Sequence, residues 1–419
     1  MSGAMITLVV LGVATFFFLT ELIPLAVTAM GAAIALGLLG VLTPAQVFAG
    51  FSNSTVVLFG GMFVIGAAMF ETGLAQKMGV TIVKKAGREE WKLMLALMTV
   101  TVILSSVSSN TATVACLLPV VVQICYLAQV PVSPQLMALA IAANVGGMIT
   151  LIGTTPNIII NAALETSGYQ PFGFFEFAWI GIPLSLAGIL YMLFIGRHLC
   201  PRHMAQEDVH APVSAAPKDP RKMLICAVIL VLVVLAMVFS KEIHVPMQLT
   251  AVIGALACIV TGCISEKKAY EGIDWTTIFI FAGMLPVAEA LDKTGAGAII
   301  ADFVIQIMGS QPSALLIVVV LFLLSCGLTQ FMSNTASSAL LAPIGISIAN
   351  SIGVSPLPVL MAICIAASCA FTTPIATPPN MLVFTPGRFR FVDYVKAGVP
   401  LAIIALVVCT VIIPLVWHF

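Results

Sequence analysis

This chain has very little charge: 17 Lys or Arg and 17 Asp or Glu in 419 residues, 8% of the total. Soluble domains carry roughly 25%, so a water-exposed globular surface is excluded and an integral membrane protein remains. The signs balance to a net charge of zero, which excludes the basic footprint of a nucleic-acid-binding protein. Ten cysteines fall mostly inside apolar runs without metal-type spacing, and they read as small hydrophobes rather than disulfides or ligands. The five histidines, His198, His203 and His210 among them, fall in or near loops. Nothing suggests a metal centre or an enzyme active site, and no cofactor is expected. Acidic residues are scarce within the apolar runs. Glu21, Glu71 and Asp292 sit at span ends, and only Glu289 lies deeper. Proton-coupled carriers rely on buried carboxylates, so proton/cation antiport is disfavoured. Long polar segments are missing too: the longest, about 198–221, has the composition of a linker, so no soluble domain is expected. Residues 1–20 lack the basic start of a secretory peptide and run straight into a span.

What the chain has is apolar sequence, 61% of it, with a mean hydropathy of +1.16. The runs are helix-length, whereas membrane barrels show segments of about ten alternating residues. Measured against the roughly 20 residues that cross a bilayer, spans fall near 5–20, 25–43, 55–74, 176–197, 222–240, 246–264, 275–292 and 397–417. Paired runs near 91–128 and 313–352 suit re-entrant hairpins, and runs near 134–165 and 356–386 suit broken helices. The expected fold is an all-α polytopic membrane protein of two inverted-topology repeats, with about ten spans plus two hairpins. The repeats are 1–197 and 222–419, joined by the 198–221 linker.

With hairpins that enter and leave by one face, each repeat crosses the membrane an odd number of times, so the second is inverted. Placing both termini outside puts all of the 17 basic residues except Lys241 and Lys293 on the cytoplasmic face, as the positive-inside rule requires. Counting the hairpins as crossings scatters them. The expected location is the plasma (inner) membrane.

The halves also align residue by residue. Pro24 pairs with Pro246, Thr28-Ala29 with Thr250-Ala251, Gly61-Met62 with Gly283-Met284 and Thr72-Gly73 with Thr294-Gly295, all 222 apart. Ser109-Asn110-Thr111-Ala112 pairs with Ser333-Asn334-Thr335-Ala336 at 224, and Pro156-Asn157 with Pro379-Asn380 at 223.

Ser, Asn and Thr favour helix N-caps, and Pro favours the first helical turn. Each Ser-Asn-Thr string therefore suits a hairpin tip that starts a returning half-helix. Gly153-Thr154-Thr155-Pro156-Asn157 and Ala376-Thr377-Pro378-Pro379-Asn380 suit breaks that start two more. Four helix N-termini meeting near the bilayer midplane make an anion site. Carbonyls freed at the same breaks, with hydroxyl and amide oxygens, are hard ligands for a cation such as Na⁺. Ser105 and Thr329 lie about one helical turn before the tips and are further candidate ligands. In the alternative, a hydroxyl there bonds only to its own i−4 carbonyl. No Lys, Arg or His falls within these strings. An unpartnered Asn at membrane depth is expensive, which favours function for Asn110 and Asn334. Gly60-Gly61 and Gly146-Gly147 read as packing positions.

At these residues the chain resembles the divalent anion/sodium symporter family, within the wider ion transporter superfamily. Thr20-Glu21-Leu22-Ile23-Pro24 followed by Val27-Thr28-Ala29 is similar as well. The resemblance implies a homodimer whose transport domain moves as an elevator, carrying dicarboxylate, citrate or sulfate with Na⁺ as coupling ion. It places Asn110, Thr111, Asn334 and Thr335, with Thr154 and Thr377, around the substrate. One Na⁺ site is implied at Ser105, Ser109, Asn110 and the Gly153 carbonyl. The other is implied at Thr329, Ser333, Asn334 and the Ala376 carbonyl. Many relatives have Pro where this chain has Thr155. The expected function is Na⁺-coupled uptake of a small divalent anion, a C4-dicarboxylate foremost. The motifs leave open a sulfate transporter, a sodium-independent anion exchanger and an arsenite or metalloid-anion permease.

Overall fold

The computed structural model describes residues 2–20, 22–75, 77, 89–204, 219–308 and 313–418. Glu21, Lys84, Lys85, Arg88, His210, Lys218 and most of the expected linker lie outside the described residues. The described chain is nearly all helix, with one isolated bridge between Pro131 and Met204. Among the described residues, eight helices are long and apolar enough to cross a membrane, and shorter apolar helices accompany them. The fold is an all-α polytopic membrane protein of two inverted repeats, each with a hairpin and a broken helix.

One body pairs helices across the repeats. Leu25–Leu38 packs on Trp275–Thr294, and Ser54–Glu71 packs on Met247–Val260. Small residues at the crossings make this possible. A Cβ on Gly61 would lie 2.7 Å from the Ala251 backbone, and one on Gly283 would lie 2.6 Å from that of Ala29. Lipid offers no hydrophobic drive for helices to associate, so backbone approach at small residues supplies van der Waals contact instead. Gly61 is thus a packing position, whereas a Cβ on Gly60 would meet nothing within 4 Å. The left-handed turns repeat as well: Gly40 and Gly262 have φ of +76° and +71°, and Gly73 and Gly295 have +78° and +71°.

The second body holds the hairpins and broken helices. The first hairpin is Glu90–Ser105 with Asn110–Ala128, and the first broken helix is Val132–Gly147 with Thr155–Thr166. Their counterparts are Ala314–Thr329 with Asn334–Ile352, and Pro356–Ser368 with Pro378–Phe384. Every residue of Val132–Gly147 is buried, and all of Pro356–Ser368 except Leu357 is buried. These alanine-rich segments form the centre of this body, flanked by Ala178–Tyr191 and Phe391–Val416. The Ala178–Tyr191 helix continues through a π-helical turn, Met192–Gly196.

Short elements escaped the sequence reading. Pro44–Phe48 starts at a Thr43–Gln46 capping box, and its counterpart Glu266–Glu271 starts at the Ser265 cap. The two are 222 residues apart and link spanning helices at opposite ends of the body. Ala296–Met308 is a further helix, packed on Asn334–Ile352. Glu289, the one deeper acidic residue, is half-buried and accepts a hydrogen bond from Gln46 Nε2.

Candidate substrate and cation site

Each hairpin turns at a tip where a buried hydroxyl meets an asparagine amide. Ser105 Oγ lies 2.6 Å from Asn110 Oδ1 and 2.7 Å from the Ala143 carbonyl oxygen. Thr329 Oγ1 lies 2.8 Å from Asn334 Oδ1 and 2.6 Å from the Ala367 carbonyl oxygen. Both hydroxyls thus reach a neighbouring helix rather than their own i−4 carbonyls, which removes the local structural reading of Ser105 and Thr329. At Thr329 a single O–H faces two acceptor oxygens, whereas at Ser105 the count depends on which end of the Asn110 amide faces inward.

At Asn110 the orientation of the amide decides the balance of donors and acceptors. With its oxygen facing inward, the amide joins Ser105 Oγ and the carbonyls of Ala143 and Gly153 in a group of four oxygens served by one proton. With the amide turned over, its nitrogen lies 2.6 Å from Ser105 Oγ and 3.1 Å from each carbonyl oxygen and donates to them. A cation relieves the first arrangement, and the amide's own protons relieve the second. Gly147 gives the amide its space: a Cβ there would lie 2.5 Å from Asn110 Oδ1 and 2.9 Å from the Gly153 oxygen. The neighbouring Gly146 serves packing, with a Cβ position 2.7 Å from the Val102 backbone.

The breaks are held by a second matched set. Asn157 Nδ2 donates to the carbonyls of Gly147 and Thr150 at 3.3 and 2.7 Å, and Asn380 Nδ2 to those of Ala370 and Thr373 at 2.9 and 2.8 Å. Thr150 and Thr373 in turn donate to the Ser106 and Gln330 carbonyls at the hairpin tips. Tip and break are therefore tied together in each copy. Thr154 and Thr377 occupy equivalent N-cap positions, with φ of −142° and −143°. Neither side chain caps its helix, so both hydroxyls remain available at the helix starts.

Three differences between the copies bear on the helix starts and their surroundings. Ser333 Oγ caps its hairpin by accepting from Ala336 N at 3.1 Å, while the Ser109 side chain makes no capping bond. Asn144 stands where the other repeat has Ser368. Most important, the four helix starts are unequal as donors. Asn110, Thr155 and Asn334 open helices with first-turn N–H groups, less the one Pro156 lacks and the one Ala336 gives to Ser333 Oγ, while Pro378 and Pro379 remove two such donors from the fourth, which is only 7 residues long.

All these starts line one cavity of about 890 Å³ between the two bodies. Ser109, Asn110, Thr111, Gly153 and Thr154 line it from the first repeat, and Ser333, Asn334, Thr335, Ala376 and Thr377 from the second. Ser105 and Thr329 sit fully buried behind the asparagines. The opposite wall comes from Phe59, Met62, Phe63 and Ile280 of the cross-paired body. No Lys, Arg or His lines it among the described residues. The cavity reaches the end where Glu71 and Asp274 lie, and Lys268 Nζ pairs with Glu71 there at 2.6 Å. Three lining residues, Ser108, Asn144 and Thr377, have a buried oxygen without a hydrogen-bond partner.

Five contributors were not singled out from the sequence. The carbonyls of Ala143 and Ala367 have no side-chain signature at all. Asn144, whose Nδ2 donates to Asn380 Oδ1 at 3.3 Å, was findable as an amide inside an alanine run. Thr150 and Thr373 were findable only as partners in the repeat alignment.

A duplicated oxygen cluster beside converging helix starts is transporter architecture, and the comparisons agree. The sequence pattern of the citrate-transporter family matches residues 15–353 and 317–419. The chain belongs to that family. An uncharacterized transporter of Haemophilus influenzae is 30% identical over 93% of this chain and 87% of its own length. The uncharacterized transporter YfbS of Escherichia coli is 27% identical and aligns over the whole of both chains. The sodium-dependent dicarboxylate transporter SdcS of Staphylococcus saprophyticus is 24% identical over 98% of this chain and 85% of its own. Among solved structures, the YdaH transporter of Alcanivorax borkumensis superposes with a TM-score of 0.68 at 15% identity, covering 96% of this chain and 98% of that one. Like its citrate-transporter relatives, the chain is a secondary transporter in the membrane, and the resemblance to the divalent anion/sodium symporters holds.

Proposed function

We propose that this transporter carries a small divalent anion, a C4-dicarboxylate foremost, into the cell together with Na⁺. The observation that carries this reading is the pair of matched, buried hydroxyl–amide–carbonyl clusters at Ser105–Asn110 and Thr329–Asn334, beside helix starts in one cavity. Ser105, Asn110 and the Ala143 and Gly153 carbonyls would hold one cation, with Ser109 at the rim. Thr329, Asn334 and the Ala367 carbonyl would hold the other, with the Ala376 carbonyl facing the cavity. Ser333 serves mainly to cap its hairpin. Asn110, Thr111, Thr154, Asn334, Thr335 and Thr377 surround the space left for the anion.

Coupling then follows from charge. A dianion entering this cavity meets no basic side chain, so co-bound cations must neutralise it. At about 5 Å and an effective dielectric of about 20, each cation–carboxylate pair gains roughly 3 kcal/mol. That is enough to make anion and cation each raise the other's affinity by about a hundredfold. The SdcS relative, whose name describes it as sodium-dependent and dicarboxylate-transporting, supports the same reading. By the positive-inside rule the Glu71–Asp274 end of the cavity is cytoplasmic. The hairpin body would move against the cross-paired body as an elevator, with a second copy of the chain bracing the latter.

The test is succinate uptake into proteoliposomes. An inward Na⁺ gradient should drive accumulation, and a proton gradient in choline buffer should not. Equal uptake in choline and Na⁺, accelerated by internal anion, would replace symport with exchange.

A further inference from the structure

The two breaks are unequal at one position inside the cavity. Thr155 in the first is the counterpart of Pro378 in the second, 223 residues on, in register with Asn157 and Asn380. Thr155 supplies an N–H and a hydroxyl where Pro378 supplies neither. Its Oγ1 lies 2.8 Å from Thr335 Oγ1, joining the first break to the second hairpin tip. The matching contact on the other side, between Pro378 and Thr111, cannot be a hydroxyl pair. One side of the cavity therefore carries Thr154, Thr155 and Thr335 together, and the other carries Thr111 and Thr377 beside a proline.

A pair of hydroxyls is both donor and acceptor. One O–H bonds its neighbour, which leaves one proton and free lone pairs directed at a ligand. A carboxylate oxygen only accepts and answers half of that capacity, whereas an alcohol answers both. We propose that Thr155 and Thr335 read a hydroxyl group on the substrate. The transported anion is then a hydroxylated dicarboxylate, preferred over its unsubstituted analogue. This rests on the reading of the cavity as a dicarboxylate site.

Succinate and 2-hydroxysuccinate differ by one oxygen and share charge and length, so they isolate the effect. Their binding to the purified transporter in saturating Na⁺ is measured by calorimetry for the wild type and for Thr155→Val and Thr155→Ser. A neutral hydrogen bond of ordinary strength predicts about three- to tenfold tighter binding of 2-hydroxysuccinate to the wild type. The ratio should fall to about one in Thr155→Val and persist in Thr155→Ser. Thr155→Pro copies the other repeat, suits a first helical turn and serves as the second variant should the valine protein not fold. Equal wild-type affinities, or a preference retained in the valine or proline variant, would overturn the inference while leaving the dicarboxylate site standing. Failure of the wild type to bind either compound would overturn both readings together.

Discussion

Adding one carbon atom at Gly147 probes the first oxygen cluster without substituting any proposed ligand. The Cβ of an alanine would lie 2.5 Å from the Asn110 amide oxygen, and ordinary contact begins near 3.4 Å. If the backbone holds, the amide must retreat by about 0.9 Å, and its 2.6 Å contact with Ser105 stretches beyond useful range. Losing one contact to a charged partner costs roughly 1.5–3 kcal/mol, a ten- to hundredfold loss of cation affinity. The natural control is built in, because the other repeat carries Ala370 at this position. Ala370→Gly should therefore leave the Na⁺ dependence nearly unchanged. The assay is the Na⁺ concentration for half-maximal anion uptake in proteoliposomes, with thermal unfolding run beside it to confirm a folded protein. A folded Gly147→Ala protein with wild-type Na⁺ dependence would refute the placement of a cation at Asn110.

Asn110→Ala and Asn334→Ala should each weaken Na⁺ and anion affinity by about tenfold or more while leaving the fold intact; normal transport with normal Na⁺ dependence in either would reduce that residue to a helix cap. Single cysteines placed near Arg202, Lys268 and Arg390 on a cysteine-depleted background should be labelled only from the cytoplasmic side and one near Lys241 only from outside, and external labelling near Arg202 would break the inverted scheme. Lys268→Met removes an ion pair whose side chains are 52% and 33% exposed, so the melting temperature should move little, in line with about 0–1 kcal/mol for such pairs.

The fold was legible because membranes make two signals loud. Long apolar runs must be helices, since no water satisfies the backbone in lipid. The repeat alignment, anchored by Pro24 and Pro246 or Gly61 and Gly283, then fixed which helices correspond. The hairpin tips were legible for a related reason: Asn110 and Asn334 are costly in an apolar segment unless a partner offsets their burial. What escaped lacked either signal. Pro44–Phe48 and Glu266–Glu271 are too short for periodicity to show, although Thr43 and Ser265 were findable as caps. The Ala143 and Ala367 carbonyls are backbone atoms, and only a folded neighbour turns them toward Ser105 and Thr329. The inequality of Thr155 and Pro378 was plain in the letters, but its link to Thr335 was not.

The scarcity of charge and the proposed transport cycle are one physical argument. A site that crosses a bilayer cannot carry a fixed, unpaired charge, because desolvating an isolated ion costs many kcal/mol. A basic side chain would bind the anion well and then make the empty return prohibitive. Neutral oxygens would avoid this if cations arrive with the anion, since two cations with one dianion would make a neutral load. The empty return raises the opposite difficulty, because oxygens crowded without a cation repel one another. An amide suits such a site because either end can face it: with the Asn110 nitrogen inward, it donates to Ser105, Ala143 and Gly153 and the cluster is satisfied without a cation. A carboxylate in place of Asn110 could not do so, because its two ends are alike and it would remain charged. The amide is thus the side chain that would suit both the loaded and the empty carrier, which is a physical reason for asparagine at position 110.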